Sequence, residues 1–268
     1  MTRLVTEWIS EIENTAARRD EEMKNTLGFG YNELAEFTAG LPPGFVNRAA
    51  AVYRVTVVPI TSGLGIINTF PESVAAIVRT MGFNAFVTDA ADVDGLYEAS
   101  TSGADIVYMA DDDRYLAMNL RNSRIDDNNI ATAGGFAEIL CRRSGDPEGR
   151  RMVVLGYGII GRLMAGYLND KGAKVTVFDK YPAKLEAAAA DGYPVTDKAE
   201  NLKTFRYIAD GTDEGPWISS GVLADGAFMV APGIPFSLDD EAKSEMVGRY
   251  THDLLEIGTA VMMGLALK

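Results

Sequence analysis

With 268 residues, 47% of them hydrophobic and 24% charged, the chain can fold as two compact domains or one large one. A formal charge of −13 argues against nucleic acid and anionic membranes as partners, since both recruit basic surface. One cysteine, Cys141, rules out an internal disulfide and suits a reducing cytoplasm, and one histidine, His252, argues against a His-rich metal site or a Ser-His-Asp triad.

At the amino terminus Leu4, Trp8, Ile9 and Ile12 recur at helical spacing, which predicts an acidic amphipathic helix rather than a signal peptide. That helix either docks on a core or closes over a site. Pro42-Pro43-Gly44 interrupts residues 28–50. Strand-like runs follow at 55–59, 85–88 and 105–109, with helical patterns at 71–81 and 93–101 between them. This alternation predicts a small parallel sheet whose strands end in the polar loops PITSGLGI, TDAADVDG and ADDDRYLAMN. A helix is predicted over 127–143, and SGDPEGR at 144–150 reads as the linker.

The stretch MVVLGYGIIGRLMAGYLNDKGAKVTVFDK then supplies strand, glycine turn, helix, second strand and terminal acid in one βαβ unit. Gly156 permits the tight turn, Gly158 lets backbone approach a pyrophosphate, and Gly161 lets helix and strand pack closely. Tyr157, Ile159 and Ile160 complete the turn, and the helix start offers unpaired N–H groups to phosphates. Asp179, 18 residues beyond Gly161, is placed to accept from a ribose 2′-hydroxyl and to repel a 2′-phosphate, which favours NAD over NADP. Lys180 beside it counts with the cofactor-side residues, although on its own it reads as a solvated lysine. A short helix or loop is expected at 197–202. Strands at 205–210 and 227–230 lead into ADGTDEG and APGIP, bringing Gly211, Pro232 and Gly233 to the cofactor. Residues 254–267 are apolar but carry Glu256 and are short for a membrane span, so a helix bridging the domains is the better assignment. The expected architecture is α/β in two domains. Residues 1–145 form a small parallel α/β substrate domain, and 150–268 form a Rossmann domain whose last helix packs back on the first.

Single residues leave alternatives open. Asp111 belongs to a run of three aspartates, by default a solvated loop. Glu256 lies inside an apolar helix, and a buried acid needs a partner, whether substrate or protein. Ser62 suits a turn or a ligand contact, Asn119 suits a carboxylate contact or a helix cap, and Arg121 reads as a solvated helix charge. His252 suits surface or interdomain packing, and Cys141 a packed thiol.

Several strings together resemble the pyrrolysine synthase (PylD) family: VPITSGLGII at 58–67, YMADDDRYLAMNLRN at 108–122, GYGIIG at 156–161, APGIP at 231–235 and LEIGTA at 255–260. The resemblance implies an NAD-dependent amine dehydrogenase that completes pyrrolysine. Its substrate would be the isopeptide L-lysine-Nε-3R-methyl-D-ornithine. Hydride leaves the carbon bearing the terminal ornithine amine, ammonia is lost, and the other ornithine amine closes the pyrroline ring with loss of water. Substrate contacts implied by the resemblance are Leu4, Ser62, Ile66, Ile67, Asp111, Asn119 and Glu256, with Asp111 and Glu256 as the catalytic candidates. Amine oxidation needs a neutral nitrogen, and an alkylammonium has a pKa of about 10, so carboxylates that take up a proton suit the task. The expectations are that Asp111 and Glu256 act from opposite domains, that substrate lies between the domains, and that the first helix closes over it. The implied protein is cytoplasmic, binds no nucleic acid, membrane or metal, and is a possible homo-oligomer. Two alternatives remain: a dehydrogenase of a simpler amino acid or diamine, and a non-catalytic NAD-responsive regulator.

Overall fold

The apolar spacing at the amino terminus builds two helices rather than the single one expected. α1 (Thr6–Ile9) and α2 (Ile12–Leu27) are separated at Ser10 and Glu11. Ile9 and Ile12 are both fully buried, and the Ile9 carbonyl accepts from the Ser73 hydroxyl at 3.2 Å instead of continuing a helix. The segment is therefore part of a core, while Trp8 stays 38% exposed. The chain is described over residues 4–268 by a computed structural model, in which two units separate: residues up to Gly135 together with Leu254–Lys268, and Phe136–Asp253.

In the first unit, residues 28–50 are more ordered than the Pro-Pro-Gly break suggests. α3 (Tyr31–Ala39) and α4 (Phe45–Ala50) flank it. Buried Glu36 joins them, accepting from the Gly44 and Val46 N–H groups at 2.9 Å each, and so satisfies the otherwise open start of α4. Then come β1 (Arg54–Val58), α5 (Phe70–Thr80), β2 (Asn84–Val87), α6 (Asp92–Thr101), β3 (Ile106–Ala110), β4 (Tyr115–Asn119), β5 (Arg124–Asp127) and α7 (Asn128–Ser144). The sheet order is β2-β1-β3-β4-β5, parallel across β2-β1-β3 and antiparallel across β3-β4-β5. The three strands expected from the sequence form the parallel part, and the antiparallel β4 and β5 extend it beyond that expectation. YLAMN alternates buried and half-buried residues, so its period of two makes a strand from what reads as a polar loop.

The division between units falls within α7, and the SGDPEGR turn leads into β6 (Arg151–Leu155). The second unit continues with α8 (Ile159–Asp170), β7 (Lys174–Phe178), α9 (Pro182–Ala190), β8 (Val195–Thr196), β9 (Tyr207–Asp210), β10 (Phe228–Ala231), α10 (Asp240–Glu245) and β11 (Tyr250–His252). Its sheet is parallel throughout, in the order β11-β10-β9-β6-β7-β8. The chain winds outward from β6 to β8, then returns to β9 on the other side, so the order reverses between β6 and β9. At such a switch point the loops leave the strand ends in opposite directions and open a crevice. One sheet face buries Val153, Leu155, Ile208 and Met229 with the 3₁₀ turns Ala199–Thr204 and Ser220–Val222, the first of which occupies the expected short helix.

α11 (Glu256–Ala266) belongs to the first unit and buries every side chain except the partly exposed Leu265. Its contacts run along α3, where a Cβ on Gly264 would come within 2.5 Å of the Ala35 carbonyl. On α7, a Cβ on Gly135 would meet Ile257 Cγ2 at 2.8 Å, so both glycines are required by close approach. Among the described residues no helix is long and apolar enough to cross a membrane.

Candidate functional site

The glycine turn lies at the carboxyl end of β6. Gly156 has φ +78° and donates its N–H to Phe178 O at 2.8 Å, which reverses the chain beside β7. A Cβ on Gly161 would come within 1.8 Å of the Gly156 carbonyl, so α8 can leave the turn at this angle only with glycine there. Gly158, the residue before α8, contrasts with both: a Cβ there meets nothing within 4 Å. No side chain caps α8, so its first N–H groups face that open side with the positive end of the helix dipole. This geometry fits a pyrophosphate. Ile159 is 64% exposed and Ile160 partly so, whereas Tyr157 turns inward, its hydroxyl donating to Asp191 Oδ2 at 2.8 Å.

Asp179, just past β7, is buried and accepts the N–H of Tyr157 at 2.7 Å through Oδ2 and that of Tyr181 at 2.9 Å through Oδ1. The carboxylate thus braces the glycine turn itself, and each oxygen has a second lone pair beyond these bonds. Lys180 is solvent-exposed, as expected, but paired. It forms an ion pair with Glu214, a residue of the ADGTDEG loop, and lies 4.9 Å from the centre of the Tyr181 ring.

Three further predicted residues meet at the ends of β9 and β10. Gly211 donates to Leu155 O at 2.8 Å, and a Cβ on it would sit 3.0 Å from Gly161 N. A Cβ on Gly233 would strike the Thr212 carbonyl at 1.8 Å, and Pro232 beside it is partly exposed. Beneath them lies Asp210, a buried acid that sequence reasoning treated only as the end of a strand. It accepts from Thr212 N at 3.0 Å, Thr212 Oγ1 at 2.7 Å and the Ser237 hydroxyl, holding the two loops together. Burial first, and the nearby Asp213 charge after it, push its carboxyl up to about 6 against the opposing pull of these hydrogen bonds. His252 stacks on Phe236, ring centres 4.3 Å apart, with Nδ1 2.8 Å from Ala231 O. Cys141 is buried in α7, and desolvation with the nearby Glu138 charge pushes its thiol up to about 12, far from a reactive thiolate.

In the first unit, Asp111 closes the β3–β4 turn, its Oδ1 accepting from the N–H groups of Asp113 and Arg114 at 2.8 Å each. The residue is exposed, and Oδ2 stands outside these bonds. Asp112 Oδ2 accepts from Leu64 N at 2.7 Å, so the turn is tied to the SGLG loop. There Ser62 and Ile66 are exposed and Ile67 partly buried; Leu4, before α1, is partly buried too. Asn119 is fully buried, donating to Ala266 O at 2.7 Å and accepting from Arg121 N at 2.9 Å. It caps the carboxyl end of α11, which takes the cap side of its two readings. Arg121 is a hairpin residue rather than a helix charge: Nε donates to Asp105 Oδ1 at 2.6 Å and the guanidinium lies 4.2 Å from the Tyr53 ring centre.

Glu256 opens α11 and is fully buried. Its Oε1 accepts from Arg19 Nη1 of α2 at 2.7 Å, and Oε2 accepts from Leu255 N at 3.3 Å. Arg19 was missed, since one arginine in an exposed acidic helix carries no signal. Glu256 and Asp111 lie in the same unit, which corrects the expectation of opposite domains.

A parallel sheet with its switch point at β6 and β9, and a glycine turn opening α8 there, place the second unit among the Rossmann-type folds of dehydrogenases. Residues 152–214 match the family described as ketopantoate reductase PanE/ApbA. The chain shares its fold with the shikimate dehydrogenase of Aquifex aeolicus, at 15% identity, TM-score 0.52, and coverage of 81% of this chain and 91% of that one. Residues 9–126 match the family described as pyrrolysine biosynthesis protein PylD, N-terminal domain. The chain is 34% identical to the pyrrolysine synthase of Methanosarcina acetivorans, covering 84% of this chain and 86% of that protein. With the pyrrolysine synthase of Methanosarcina barkeri the identity is 35%, over 78% and 80%. The chain belongs to the pyrrolysine synthase family.

Proposed function

We propose that the protein oxidises, with NAD, the terminal ornithine amine carbon of L-lysine-Nε-3R-methyl-D-ornithine to an imine, which takes up water and loses ammonia, after which cyclisation releases that water and forms the pyrroline ring of pyrrolysine. Family membership together with the open glycine turn at Gly158, braced by Asp179, is the observation that carries this reading. Bound NAD would supply the hydride acceptor. Gly156–Gly161 and the start of α8 would hold its pyrophosphate, and the free lone pairs of Asp179 its ribose hydroxyls, with Gly211, Pro232 and Gly233 along the loops beyond.

For the substrate, the free oxygen of Asp111 is suited to receive an ammonium group and to take up its proton, leaving the nitrogen neutral. Glu256, fixed by Arg19, offers a second carboxylate of set orientation, and Ser62, Leu4, Ile66 and Ile67 offer one hydroxyl and apolar surface. The test is NADH formation with the isopeptide against free lysine and free ornithine. Turnover with the isopeptide alone is expected. Turnover of the free amino acids at equal rate would move the assignment to a simpler amine dehydrogenase, and no NADH from any of them would overturn it.

A further inference from the structure

A lysine immediately after the ribose acid is a contradiction in a site meant for NAD. Asp179 disfavours a 2′-phosphate, but a free ammonium one residue on would attract it. The fold resolves this through Glu214. In the sheet β6 lies between β7 and β9, so the pair formed by Lys180 beyond β7 and Glu214 beyond β9 spans the carboxyl end of β6, where the glycine turn begins. The loop carrying Glu214 is held to β7 at a second place, where Trp217 stacks on Phe178 with ring centres 5.5 Å apart and planes 13° apart. Trp217 Nε1 donates to Thr212 Oγ1 at 3.3 Å, so the loop is braced internally as well.

We infer that Glu214 is a specificity-determining residue: by pairing with Lys180 it withholds that ammonium from a 2′-phosphate, and so keeps the dinucleotide site selective for NAD. The inference rests on the cofactor reading above. With Glu214 present, Asp179, Lys180 and Glu214 sum to one negative charge around the ribose corner; without its charge they sum to zero. Both partners are partly exposed, at 51% and 37% of their side chains, so the effect is moderate and screened by salt.

The experiment is a direct binding titration of the full chain with NADH and with NADPH, followed by nicotinamide fluorescence at low and high salt. Glu214→Gln keeps the side-chain shape and removes the charge. It is expected to tighten NADPH roughly three- to tenfold at low salt, to leave NADH within about twofold, and to lose most of the gain at high salt. Adding Lys180→Met to Glu214→Gln is expected to abolish the gain, because the ammonium is its source. An NADPH to NADH ratio unmoved by Glu214→Gln, or a gain that survives in the double variant, would overturn the inference while NADH binding stands. Wild-type protein that binds neither dinucleotide would overturn the cofactor reading and the inference together.

Discussion

The two units present opposite kinds of surface at the ends of their strands. The second offers backbone: Gly158 faces open space, and no side chain caps the first turn of α8. The first offers carboxylates that are already engaged: Asp111 accepts the backbone N–H groups of its own turn, Asp112 accepts that of Leu64, and in the interior Glu256 pairs with Arg19. A site of backbone depends on side chains being absent, whereas a site of carboxylates depends on neighbours that fix each charge. The same contrast runs through two of the buried acids, Glu256 and Asp210. Glu256 has a cation within hydrogen-bond distance; among the described residues Asp210 accepts from two hydroxyls and one N–H.

The largest effect should come from Arg19→Met, which leaves Glu256 buried without its cation. Unfolding by urea should show a loss of about 2–4 kcal/mol, the lower end reflecting the partial exposure of Arg19, and Arg19→Met/Glu256→Gln should recover part of it. An undiminished stability would remove the distinction between the two acids.

For Asp210 the sign is opposite to that of a salt-bridged acid. Its carboxyl is raised in the folded chain from 3.8 to about 6, so the native state binds the extra proton between those values. Its contribution to stability is greatest below pH 4 and is lost as pH rises to about 6, by roughly 2–3 kcal/mol. Thermal melts of wild type and Asp210→Asn across pH 4–8 isolate this term: the variant should gain on wild type through that window, and parallel curves would show that Asp210 does not titrate there.

Asp111→Asn keeps the turn-forming oxygen but removes charge and proton affinity. It should lower kcat/KM by about ten- to more than a hundredfold, corresponding to about 1.5–3 kcal/mol. The deficit should ease towards pH 10, where more of the substrate amine is neutral. An unchanged kcat/KM from pH 7 to 10 would return Asp111 to a purely structural turn residue.

The smallest energetic change tests the backbone half of the comparison. In Gly158→Ala the new methyl meets no protein atom, so stability should fall by no more than about 1 kcal/mol while NADH affinity drops by about tenfold. A loss of stability larger than the loss of binding would mean that the turn is filled by protein and not kept open for a ligand.

What the chain spells locally was legible in its sequence. The parallel strands are apolar runs, and Gly156, Gly158, Gly161 and Asp179 follow in a spacing set by one strand, one turn and one helix. The β4–β5 hairpin was hidden because five residues of alternation are a weak signal after a run of three aspartates. The remaining decisions belong to the tertiary structure. Glu256 meets Arg19 across 237 positions, Lys180 meets Glu214 across 34, and Asp210 meets Ser237 across 27. A sequence declares that these charges and hydroxyls exist. Only the packing of α11 within its unit, and the order in which the parallel strands lie side by side, decides which carboxylate receives a cation and which is left with neutral donors.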